Sequence, residues 1–86
     1  MQPHIRNYFL AFGLTPADRI YCEACGSNQS IDIHHVIPRS KFGSKRKKEQ
    51  DDVNNLIALC RLCHNKAHDN ILTKEYLQDI IKKRNL

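Results

Sequence analysis

At 86 residues the chain is one domain's worth, and a domain of that size buries only about 60% of the surface its unfolded chain exposes. A large, self-sufficient hydrophobic core is thereby excluded, and a staple of some kind is expected. A formal net charge of +5 and a mean hydropathy of −0.58 favour a polyanionic partner over an apolar one. No run approaches the roughly 18 apolar residues of a membrane span, and Met1 to Leu14 lacks the pattern of a secretory leader. A soluble, cytoplasmic, single-domain protein is the expectation for residues 1–86.

In chain order, Ile5, Tyr8, Phe9 and Phe12 fall at helical spacing with Gly13 as a stop, which predicts a packing helix over about 3–13. His4, at its start, reads as an ordinary satisfied polar residue. The segment Thr15-Pro-Ala-Asp18 offers an N-cap and a proline at the first helical position, so a short turn of helix is expected. It delivers the chain to Tyr21 and to "CEACGSN", a tight turn in which Gly26 can take a positive φ.

The run "IDIHHVI" (31–37) is strand-like, and Pro38 ends its pairing. Two adjacent imidazoles, His34 and His35, on a strand point to opposite faces, so a bend is expected there if they act together. Residues 39 to 52, "RSKFGSKRKKEQDD", have no apolar periodicity and read as an exposed basic loop. "NLIALC" (55–60) is a second short apolar run, expected antiparallel to the first.

Residues 60 to 72 are compatible with a helix, with Leu62, Ala67 and Ile71 able to face a core. Thr73 then caps a last helix over about 74–84, with an apolar stripe of Tyr76, Leu77, Ile80 and Ile81. Its end, "KKR" (82–84), reads as solvated cations at a helix C-terminus. No repeat and no other low-complexity tract is present.

The four cysteines form two knuckles, Cys22-x2-Cys25 and Cys60-x2-Cys63, 34 residues apart. In a reducing compartment such pairs are metal ligands rather than disulfides, and four thiolates suit the closed tetrahedral coordination of a structural Zn2+. Charged that way, the formal balance falls from +5 to +3 and stays basic.

On a helix, His64 and His68 are i and i+4 and share a face, roughly 90° round from the side on which Cys60 and Cys63 centre. One helix would then carry half a zinc site and two imidazoles able to hold a second ion. Asp32 reads as a residue that pairs with a neighbouring strand or turn. Asp51 and Asp52 read as a loop end balancing the lysines, and none of the three is taken as a metal ligand.

The order "CEAC", "IDIHHVIPRS", "NNLIALC", "CRLCHNKAH" resembles the HNH endonucleases of the ββα-metal fold, in the variety that carries a four-cysteine zinc. The similarity covers about residues 20–69. It implies an α+β fold in which a small ββα-metal domain is flanked by the N-terminal and C-terminal helices. It further implies a metal-dependent endonuclease that hydrolyses DNA phosphodiester bonds, by nicking or cutting with low sequence specificity.

Carried over by position, His34 resembles the ligand of the catalytic divalent ion, His35 the general base, Asn55 the bracing asparagine and His64 the helix ligand. His68 matches an extra ligand found in some members. Asn54 competes for the asparagine role, and Asn55 is preferred because its step to His64 resembles the family's spacing.

Imidazole ligands suit Mn2+, Ni2+, Co2+ or Zn2+ better than Mg2+. Arg39, Lys41, Lys45, Arg46, Lys47 and Lys48 are the expected contacts to double-stranded DNA. Small members of the family resemble phage-encoded nucleases, so a bacterial or phage-infected cell is the implied setting. The rival reading is a non-catalytic zinc module that binds nucleic acid, and a third is a protein-interaction domain.

Overall fold

The computed structural model describes residues 2–27, 31–38 and 50–84. Helix α1 (Pro3–Ala11) leads to strand β1 (Asp32–His35). A 3-10 turn (Val53–Asn55), strand β2 (Leu56–Leu59), helix α2 (Arg61–His68) and helix α3 (Lys74–Lys83) follow. The basic stretch from Arg39 through Lys48 lies outside the described residues, and with it every side chain expected to touch phosphate.

The strands pair antiparallel, with Asp32 opposite Leu59, Ile33 opposite Ala58, His34 opposite Ile57 and His35 opposite Leu56. Directly opposed residues share a face. One face therefore carries Asp32, His34, Ile57 and Leu59, and the other Ile33, His35, Leu56 and Ala58. All four residues of β2 are fully buried, which explains an unbroken apolar run where a half-exposed strand would alternate.

Each face has its own half-core. Leu56 and Ala58 pack with Tyr8, and Phe9, Phe12, Leu14 and Ile33 close around them. Ile57 and Leu59 pack with Cys22, Cys60 and Cys63 and with Leu77 and Ile81 of α3.

Helix α1 ends as the sequence expects. Gly13 sits at φ +65°, its N–H donates to Leu10 O at 3.3 Å, and Leu14 N–H donates to Phe9 O at 2.8 Å. This pair of bonds satisfies carbonyls that a helix end leaves open, and only a residue tolerant of positive φ permits it. Thr73 caps α3 by accepting from Tyr76 N–H at 3.1 Å.

Five expectations about the fold are corrected. The Thr15–Asp18 segment is a turn rather than a helix, because the Asp18 carboxylate accepts from the Thr15 N–H at 2.7 Å and closes the loop on itself. Helix α2 stops at His68, and Asn70 takes φ +59°, so Ile71 falls beyond the helix and is 66% exposed, while Leu62, within the helix, is 70% exposed because Cys63 and Ala67 form its inner face. Tyr76 is exposed, leaving Leu77, Ile80 and Ile81 as the apolar stripe of α3. The end of the expected loop is not exposed either, since Gln50 is buried.

The last correction concerns Arg84. Its side chain is only 10% exposed, and Nη1 donates to Glu23 Oε1 at 3.0 Å. Nη1 also donates to Leu56 O at 3.0 Å and Nη2 to Val53 O, and the guanidinium lies over the Tyr8 and Phe12 rings. It is a strut between the ends of the chain, not a solvated cation.

Candidate active site

Two knuckles converge at the N-terminus of α2. In the first, Gly26 at φ +82° lets the turn close, with Gly26 N–H donating to Cys22 O at 2.8 Å. Glu23 fastens this turn to the outer edge of β2: its N–H donates to Ala58 O and its carboxylate accepts from Ala58 N–H, both at 2.8 Å. In the second knuckle Cys60 is the N-cap of α2, and its Sγ accepts from Cys63 N–H at 3.5 Å.

The four Sγ atoms lie within 4.8 Å of one another. The Cys25–Cys60 separation is 3.6 Å, too long for a disulfide and close to the roughly 3.8 Å that two thiolates span on a tetrahedral ion at 2.3 Å. The donor set thus fits a metal ion such as zinc. Burial pushes the Cys22 thiol up, yet N–H groups of Cys60, Cys25 and Ala24 outweigh it and bring it down to about 7. Burial and hydrogen bonds to the other cysteines push Cys63 well up, so without an ion the four cannot all be thiolates.

A second cluster lies on the same sheet face. His34 from β1 meets His64 and His68 from α2, with one ring nitrogen of each inside 4.8 Å. His64 Nε2 and His68 Nε2 are 3.2 Å apart, against about 3.4 Å for two imidazoles on one tetrahedral ion at 2.1 Å. The His34 ring centroid is 5.0 Å from that of His64 and 5.8 Å from that of His68.

Asp32, two positions before His34 and on its face, accepts from His64 Nδ1 at 3.2 Å. That bond leaves Nε2 as the lone pair aimed at the other two imidazoles. Burial first, then the neighbouring imidazoles of His64, His68 and His35, pull His34 down to about 4. It is therefore neutral and able to ligate at any ordinary pH.

His35 belongs to the opposite face. The ladder runs through both histidines without a break, so the strand does not bend between them. The change of direction comes after His35, where Val36 N–H donates to Asn55 O at 2.9 Å. His35 Nε2 lies 2.8 Å from Asp51 Oδ1, and the His4 ring is 4.6 Å away.

Despite the opposed faces, His34, His35, His64 and His68 all line one groove of about 680 Å³, with Val36 and Pro38 at its wall.

Asn55 is buried, and all its amide atoms are used. Oδ1 accepts from Ile37 N–H at 2.8 Å, and Nδ2 donates to Ile37 O at 3.1 Å and Gln50 O at 2.9 Å. It thereby ties the segment after His35 to the segment that brings in Asp51. Asn54 is exposed, and its backbone N–H donates to the Asp52 carboxylate at 2.9 Å.

Sequence reasoning missed the partners. Asp32 carries a signal, since alternation puts it on the face of His34. Asp51 and His4 carry none, because tertiary packing alone brings them to His35.

A family model described as HNH endonuclease matches residues 22–70, which span both knuckles, both strands and α2. A curated protein of Escherichia coli (strain K12), the type IV methyl-directed restriction enzyme EcoKMcrA, is 33% identical over 84 aligned residues. That alignment covers 87% of this chain and 28% of the E. coli protein. No solved structure matches the chain. Among the described residues, no helix is long and apolar enough to cross a membrane.

Proposed function

The chain belongs to the HNH endonuclease family, and from that premise we propose that it is a metal-dependent endonuclease acting on double-stranded DNA. The observation that carries the reading is that three imidazoles set for one ion and a fourth held by a carboxylate open into one groove.

In this reading Cys22, Cys25, Cys60 and Cys63 hold a structural Zn2+, and His34, His64 and His68 hold the divalent ion used in hydrolysis. That ion supplies Lewis-acid stabilisation of the charge developing on phosphate, worth several kcal/mol.

The remaining work falls to the chain itself. With Nε2–H donated to Asp51, the lone pair of neutral His35 is on Nδ1, which takes the proton of the attacking water. Such a step is worth about 10²–10⁴-fold. Asn55 holds the turn after His35 so that this nitrogen keeps its place.

Asp51 Oδ1, 2.8 Å from His35 Nε2, holds the ring in that orientation. Arg39, Lys41, Lys45, Arg46, Lys47 and Lys48, which follow His35 in sequence, supply the positive charge for the DNA backbone.

The E. coli relative is named a methyl-directed restriction enzyme. The proposal takes from it nuclease chemistry alone and assigns this chain no preference for methylated sites. Nicking of supercoiled plasmid across Mg2+, Mn2+, Co2+, Ni2+ and Zn2+, with His35→Ala beside the wild type, is the test. Loss of about 10² or more in rate with DNA binding retained is expected. Binding without cleavage in the wild type with every ion would instead make the chain a non-catalytic nucleic-acid module.

A further inference from the structure

We propose that His4, His35 and Asp51 form a further transition-metal site on the other face of the sheet, and that filling it switches the nuclease off by occupying His35. The inhibitory half rests on the reading of His35 as the base; the site itself does not.

One ligand atom from each of the three residues lies within 4.8 Å of the others. His35 Nε2 and Asp51 Oδ1 are 2.8 Å apart, and their side chains are only 13% and 18% exposed. A carboxylate so shielded and already aimed at an imidazole is unlike the solvated acidic groups that cluster by chance on surfaces. His4 projects from the first turn of α1, and its ring is 4.6 Å from that of His35.

Two neutral imidazoles and one carboxylate place two nitrogens and one anionic oxygen around a point. This set suits Zn2+, Co2+ or Ni2+ and leaves a position open for water.

The consequence follows from proton counting. A neutral imidazole has one lone pair. When an ion takes it, the ring proton must sit on the other nitrogen, and His35 can no longer accept a proton from water. No bond is made or broken beyond the coordination, and the ring keeps its single proton. Activation by a low concentration of ion at His34, His64 and His68 would therefore be followed by inhibition as the further site fills.

The test uses the full chain carrying its cysteine-bound ion. Zn2+ and Co2+ uptake is measured by calorimetry and by the visible absorption of Co2+, in the wild type, in His4→Phe and in the double variant His64→Ala/His68→Ala. His4→Phe keeps a ring beside His35 but offers no nitrogen.

The wild type is expected to take up one ion more than His4→Phe. The double variant is expected to keep the ion that depends on His4. In plasmid cleavage with Mn2+ as activator, the Zn2+ concentration that inhibits should rise in His4→Phe by at least about 10-fold, the low end of what losing a metal-site partner costs.

Equal uptake by wild type and His4→Phe overturns the site. A His4-dependent ion that leaves cleavage unaltered overturns the inhibitory half and, with it, His35 as base. If no protein cleaves with any ion, the nuclease reading fails, while the uptake measurement still decides the site.

Discussion

Glu23 in the first knuckle and Arg84 after α3 meet at 3.0 Å through the Arg84 Nη1 and Glu23 Oε1 atoms, 61 residues apart in sequence. The pair closes the fold: Tyr8 of α1 donates to the same carboxylate at 2.8 Å, and β2 presents Ala58 N–H to it. Removing one member of a mostly buried pair leaves the other unpaired, which costs about 3–5 kcal/mol. Arg84→Ala should therefore lower stability by an amount near that range, read from urea unfolding. A change below about 1 kcal/mol would place the pair among surface ion pairs.

Removing the ion from the cysteine cluster should unfold the chain. The half-core containing Cys22, Cys60 and Cys63 is the same one that holds Ile57, Leu59 and Leu77, so the ligands are also core residues. Metal binding in small modules is worth of order 10 kcal/mol, more than a domain of this size has in reserve. Strong chelation should abolish the far-ultraviolet helical signal, and Cys63→Ser should not recover it on adding zinc. Retention of the signal with no metal in the sample would show that the core stands without its ion.

The knuckles, both strands and the histidine pair on α2 were legible because each depends on spacing within a few residues. The limits lie where tertiary packing decides. Counting Leu62 and Ile71 as core assumes one helix from 60 to 72, but Asn70 turns the chain after His68, and Cys63 and Ala67 already cover the inner face. Arg84 looks like any cation at a helix end until Glu23 is brought beneath it. His4 and Asp51 reach His35 from separate segments, one on a helix and one beyond the basic stretch of sequence, and no periodicity relates them.

Asp32 should control ion affinity at the three-histidine cluster. It accepts from His64 Nδ1 at 3.2 Å, while Arg61 approaches the same oxygen no closer than 3.7 Å from an exposed position. Loss of the carboxylate frees His64 to change tautomer and orientation, an effect typically worth about 10–100-fold in affinity. Asp32→Asn should weaken Co2+ binding there by that factor with thermal stability little altered. Unchanged affinity would make the Asp32 contact incidental.

The same cluster sets a pH dependence of stability. Burial and the facing imidazoles hold His34 near 4 in the folded chain, against about 6.5 for an unfolded histidine. Between those values the unfolded chain binds more protons, so stability rises with pH. It has its full value above about pH 6.5, declines as pH drops, and has lost the whole His34 contribution below about 4. Because the ring is only half-buried, solvent screening keeps the slope under the limit of about 1.4 kcal/mol per pH unit. Urea midpoints at pH 7.5, 6 and 5, taken without added divalent ion, should fall less steeply in His34→Gln than in the wild type, since the cysteine site contributes equally to both. Identical slopes would mean that His34 titrates alike in the folded and unfolded chains. With an ion bound the wild-type slope should steepen, because protons and metal then compete for the same ring nitrogens.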